Sequence, residues 1–316
     1  MAFDSRLMWP LVLMALAASS VLAGKEVMII SSGHGAPDTR YLARNAPYLE
    51  QVPLDGVATW IATPVPVALE SGGTLIPRLE SGRLARIATG EDAADVGQTI
   101  VQRGRIPDSH VAPAIRDLQT ADFKRFDSNL IHVITGNAKE PFDWFDDDLW
   151  SAIRDNIGTV AKAAKEGGCR GILVDPEVYS YPWWGHDQLK EGALAEMYAD
   201  RDWDEVRTMA RQRGREFAGA VCAEIEDPVI MFFTAVGYTA RQIDDPRWDR
   251  PAVAPYGLMV PFVDGILEGS SAGTHFVDCN SDMKGRSERA DFETARRHVK
   301  EDGLSFSQVP GLYRKK

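Results

Sequence analysis

An α/β fold with a parallel sheet, of the (β/α)8 TIM-barrel type, is predicted by three observations. Short apolar runs alternate with longer segments of helical period along most of the chain, the pattern of β-α units. The run Gly171-Ile172-Leu173-Val174-Asp175 is apolar enough for a strand buried on both faces, and Pro176 ends it because proline cannot extend a central ladder. No stretch has the composition of an interdomain linker, so residues 24–316 are expected to form one barrel-like catalytic domain. A doubly wound parallel sheet is the alternative.

The elements follow in order. Residues 1–23 are a signal peptide by pattern: Arg6 near the start, an almost wholly apolar run over 7–22, then Val21-Leu22-Ala23 before Gly24. Export is therefore expected, periplasmic or extracellular, with no stable membrane span after cleavage. The missing cysteine at the cleavage point argues against a lipoprotein. Residues 26–31 form the first strand; Asp38 caps a helix to about residue 50, and 56–62 is the next strand. Region 62–112 interrupts the alternation. Its prolines, its glycines and the repeated Glu-Ser-Gly at 70–72 and 80–82 suggest a β-hairpin insertion over the functional face, with a floppy surface insertion the alternative that composition leaves open.

A helix around 111–126 leads to a strand at 129–135. Residues 146–166 carry the clearest helix: Asp146 is a good N-cap, Leu149, Ile153, Ile157, Val160 and Ala164 recur at helical spacing, and Gly167-Gly168 closes it. After 171–175 come a helix at 203–223, a strand at 228–234, a helix at 256–267, a strand at 274–278 and a helix at 291–301. This is fewer strands than the eight of a closed barrel. The barrel is then either incomplete toward the C-terminus or hides a strand within 62–112.

Charge and cysteines narrow the function. Lys+Arg 35 against Asp+Glu 46 leaves −11, which disfavours nucleic acid and anionic membrane surfaces as partners. Cys169 and Cys222 each precede a predicted strand, so an oxidised pair on one rim and two small buried residues are both open. Gly33-His34-Gly35 lacks the third glycine of a dinucleotide turn and is followed by Pro37; there is no P-loop, no G-x-S-x-G and no H-E-x-x-H. No cofactor is expected.

Sites in parallel α/β sheets lie at the carboxyl ends of strands. That rule gathers His34, Asp38, Thr63, Asn137, Asp175, Glu177, Tyr238 and Asp278. Asp175 and Glu177, two apart at a strand end, share a side and are followed at once by Tyr179, Tyr181, Trp183, Trp184 and His186. Carboxylates beside flat rings are what a sugar site needs: an acid for the glycosidic oxygen, a carboxylate for the oxocarbenium-like centre, and platforms for the pyranose. Glu177 is the expected general acid, Asp175 its orienting or charge-stabilising partner, and Asp278 the first candidate for a separate nucleophile or base, with Asp38 behind it. Tyr179, Tyr181, Trp183, Trp184, His186 and Trp144 are the expected sugar contacts. Asp175, Glu177, His34 and His186 as ligands of a divalent ion in a sugar isomerase or hydrolase, and a non-catalytic carbohydrate-binding barrel, are the alternatives.

The linked pattern Asp143-Trp144-Phe145-Asp146-Asp147, Trp150, Asn156, Glu166-Gly167-Gly168-Cys169-Arg170-Gly171 and Asp175-Pro176-Glu177-Val178-Tyr179 resembles a group of exported bacterial proteins with glycoside-hydrolase-like TIM barrels. The resemblance covers most of the mature chain and implies a barrel fold and export, but brings no activity of its own. Asp175-x-Glu177 is also similar to the end of the chitinase-type D-x-x-D-x-D-x-E strand, whose last Glu is the acid. The earlier aspartate positions hold Arg170 and Leu173 here.

Overall fold

A computed structural model describes residues 30–31, 36–63, 94–98, 100–136, 138, 141–178, 181–279 and 287–316. The expected signal peptide and the body of the insertion, 64–93, lie outside the described residues. Strands β1 (Ile30–Ser31) and β2 (Gly56–Thr59) open a sheet. The chain leaves it through a small antiparallel pair, β3 (Ala62–Thr63) with β4 (Ala94–Asp95), and returns as β5 (Leu130–Ile134), β6 (Gly171–Asp175), β7 (Val229–Phe232) and β8 (His275–Asp278). Among the described residues the sheet has six strands in the order β1-β2-β5-β6-β7-β8, and every pairing in it is parallel. The α/β class with an all-parallel sheet is thus observed. The antiparallel β3–β4 pair joins the two ends of segment 64–93.

Parallel neighbours need long crossovers, which the helices supply. In chain order these include α1 (Thr39–Leu49), α2 (Asp108–Ala121), α3 (Asp147–Glu166), α4 (His186–Leu189), α5 (Ala195–Tyr198), α6 (Trp203–Glu224), α7 (Val236–Ile243) and α8 (Met259–Gly269). Near the C-terminus α9 (Arg289–Arg297) runs into a π-helical turn, and α10 (Gly303–Phe306) and α11 (Pro310–Tyr313) follow. Caps set the starts: Asp38 accepts from the Tyr41 amide, Asp146 from Leu149, and Asp202 with Glu205 closes a capping box on α6. Helix α2 begins and ends earlier than its apolar spacing suggests, because Pro107 is extended before it and Asp122 adopts a left-handed φ of 43° after it. Helix α7 went unpredicted; eight residues are too few for a clear period.

The helices pack on one another in chain order, α1 on α2, α2 on α3, α3 on α6 and α6 on α8. Gly214 of α6 and Gly265 of α8 bring those last two backbones together: a Cβ on either would stand 2.9 Å from a carbonyl carbon of the facing helix, Phe262 or Arg211. Alternation gives the sheet two faces. Ile131, Val133, Ile172, Val174, Ile230 and Phe232 join the large core under the helices. Ala58, Leu130, Leu173, Val229 and Met231 form a separate cluster on the opposite face.

The three cysteines are free, so no disulfide links Cys169 to Cys222. Cys169 is buried before β6, while Cys222 lies on α6 with its sulfur 3.6 Å from the Thr274 hydroxyl. Among the described residues no helix is long and apolar enough to cross a membrane.

Candidate functional site

Asp175 closes β6 opposite Ile134, and its carbonyl accepts from the Thr135 amide at 2.9 Å. Sharing parity with Leu173, its side chain belongs to the face away from the helices, and only 3% of the residue is exposed. One carboxylate oxygen accepts from the Glu177 amide at 3.1 Å, an Asx-type turn that leads the chain off the strand. The next groups are held as firmly. The Pro176 carbonyl accepts the Trp184 indole N–H at 2.9 Å, and the Val178 amide donates to the Tyr256 hydroxyl at 3.2 Å. Gly136, after β5, lies so close that a Cβ there would stand 2.5 Å from the Glu177 carbonyl carbon and nearer still to its oxygen. Glu177 itself is half-buried at this rim.

Two tyrosines stand beside the turn. Tyr256 is fixed through its backbone, its N–H on the Gln242 side-chain oxygen at 3.0 Å and its carbonyl under the Thr239 hydroxyl at 2.8 Å. Tyr238 meets it edge-on with centroids 5.1 Å apart. Burial pushes the Tyr256 phenol up to about 12; the Val178 amide opposes this, while Tyr238, Glu177 and Asp175 add to it. On the same face His132 packs against Trp60 with centroids 3.9 Å apart and against Phe233 at 5.3 Å.

Several expected members are elsewhere. Trp144, Trp183 and Trp184 are 0%, 2% and 1% exposed, so they are core residues and not sugar platforms. They gather with Phe142, Trp150 and Phe262, because the loop after β6 folds back against α8. Two of their indole N–H groups serve the fold: Trp144 donates to the Trp183 carbonyl and Trp184 to Pro176. Tyr181 is half-buried against this core. His186 begins α4, buried, with a ring nitrogen 3.2 Å from the Arg201 carbonyl and Trp203 edge-on at 5.8 Å. Asp278 pairs with Phe232, whose face points to the helices, and one oxygen accepts from the Gly237 amide of α7 at 2.7 Å. It therefore lies across the sheet from Asp175 and steadies a helix start.

Asp38 is buried at the carboxyl edge, bridged to Trp60, with one oxygen spent on the Tyr41 amide. His34, Asn137 and Tyr179 lie outside the described residues. The structure thus brings together Asp175, Glu177 and Tyr238. Tyr256, Trp60 and His132 complete the surroundings and were not read from the sequence. Trp60 lies within the second apolar run, a usable signal; His132 sits mid-strand, and Tyr256, expected to open the helix at 256–267, lies in the turn before α8, which starts at Met259.

Among the described residues no three His, Cys, Asp or Glu side chains form a cluster that could hold a metal ion. Comparison with family models, with curated proteins and with solved structures returned no match.

Proposed function

We propose that the protein is a glycoside hydrolase with Glu177 as general acid. The observation that carries this reading is the pinned Asp175-Pro176-Glu177 turn at the carboxyl end of a central parallel strand, beside Tyr238 and Tyr256. A glycosidic oxygen leaves only when protonated, and a carboxylic acid held at fixed orientation supplies that proton. Asp175, almost wholly buried, orients the acid by binding its backbone amide and adds negative charge near the oxocarbenium-like centre. With Asp278 turned to the other face, Asp38 is the remaining candidate for a separate nucleophile or base. Tyr238 and Tyr256 take over the platform role first given to the tryptophans.

The fold belongs to the same reading. Strands in chain order, with helices packed successively in one layer, support barrel-type winding; a doubly wound sheet would reverse its order at a switch point. Membership among exported glycoside-hydrolase-like barrels and delivery outside the cytoplasm rest on the motif pattern and on residues 1–23. A non-catalytic carbohydrate-binding barrel is the second reading, favoured by the loss of Asp278 from the site. A glycan screen on the chain lacking residues 1–23, following binding and released sugar with Glu177→Gln alongside, separates them. Release by the wild type alone is expected. Binding without release by either protein would establish the second reading, and full release by Glu177→Gln would remove Glu177 from its role.

A further inference from the structure

We propose that Tyr256 is the positioning residue of this site, holding the Glu177 segment in its working place through the Val178 amide. The inference rests on the glycosidase reading for its consequence in catalysis, but its geometry stands apart from it. Tyr256 is separated from Val178 by 78 positions in sequence, and its hydroxyl accepts the amide of the residue directly after the acid. The tyrosine is itself rigid: Gln242 and Thr239 hold its two backbone groups, and Tyr238 braces the ring edge-on.

The rest of the turn shows what the bond adds. Asp175 holds Glu177 from before, Trp184 holds Pro176, and Gly136 closes one side; the Val178 bond is the tie on the downstream side. Without it the residue directly after the acid loses its hydrogen bond to a distant part of the chain, and the acid samples orientations from which it cannot reach the leaving oxygen. The phenol remains protonated through the ordinary pH range, since burial and then the neighbouring Tyr238, Glu177 and Asp175 outweigh the Val178 amide and raise it to about 12.

The test is Tyr256→Phe, which keeps the ring and its contact with Tyr238. Two readouts are taken together: hydrogen exchange of the Val178 amide, and kcat and KM on a substrate found by the glycan screen. Exchange at Val178 is expected to quicken about tenfold, as loss of one hydrogen bond implies, with amides in α6 unchanged. The kcat is expected to fall roughly 10–100-fold while KM stays within about threefold, a split that mere loss of folded protein would not give. Unchanged Val178 exchange overturns the proposal whether or not any sugar is released, as does unchanged kcat in a variant whose substrate is known. If the wild type releases nothing, the glycosidase reading fails alone, and faster exchange still supports the anchor. Should Tyr256→Phe not fold, the wild-type protein decides: a Val178 amide exchanging as fast as an open loop overturns the proposal.

Discussion

Gly136→Ala probes the closest approach at the site. The added methyl would stand 2.5 Å from the Glu177 carbonyl carbon and 3.2 Å from the Val178 Cα, with the carbonyl oxygen nearer than either. Carbon atoms prefer about 3.5–4.0 Å, so one of the two segments must retreat by at least roughly 1 Å. Both neighbours are backbone, and both are tied: Thr135 donates to Asp175, Trp184 to Pro176, Val178 to Tyr256. Overpacking of this kind costs about 1–3 kcal/mol. In a domain of this size each kcal/mol lowers Tm by about 2–4 °C. A shift of about 1 Å at the acid also costs roughly 100-fold in kcat. Thermal unfolding and sugar release measured on one preparation check both figures. A variant with wild-type Tm would refute the described contact, and a destabilised variant with full kcat would refute the need for Glu177 to be placed there.

Other outcomes follow from the same geometry. Trp183→Ala should behave as a core lesion, losing about 3–5 kcal/mol in denaturant titration; unaltered stability with weakened glycan binding would restore its platform role. Asp278→Asn keeps an oxygen for the Gly237 amide, so it should retain near wild-type sugar release and lose at most about 1 kcal/mol; abolished release in a stable variant would make Asp278 the nucleophile after all. Stability should decline as pH rises from 9 toward 12. Burial raises the Cys169 and Cys279 thiols, and the Tyr256 phenol, to about 12. The unfolded chain then ionises first and binds fewer protons than the folded one, so the stabilisation is full below pH 9 and is lost toward pH 12. Denaturant midpoints that stay level between pH 8 and 11 would contradict this.

The strands at 129–135, 171–175 and 228–234, the helices at 146–166 and 203–223, and the carboxylates at a strand end were all legible in the sequence. Each rests on a local cause: an apolar run, a helical period, an Asp cap, a Gly-Gly stop, a proline that cannot continue a ladder. Even the Asp175–Glu177 pair is local, because both residues belong to one strand and the turn that leaves it.

Facing and partnership were decided only by the tertiary structure. Whether Asp278 meets Asp175 depends on the register of β8 on β7, and that register turns it toward α7. Whether Trp144, Trp183 and Trp184 meet sugar or core depends on the apolar surface of α8 that the loop after β6 finds to cover. Their large rings are stabilised more by burial than by standing in water. His132 and Tyr256 fall in segments with a strand or helix pattern, but nothing local marks either as part of the site. One is set by strand alternation across a sheet, the other by a loop 78 residues from the amide it receives.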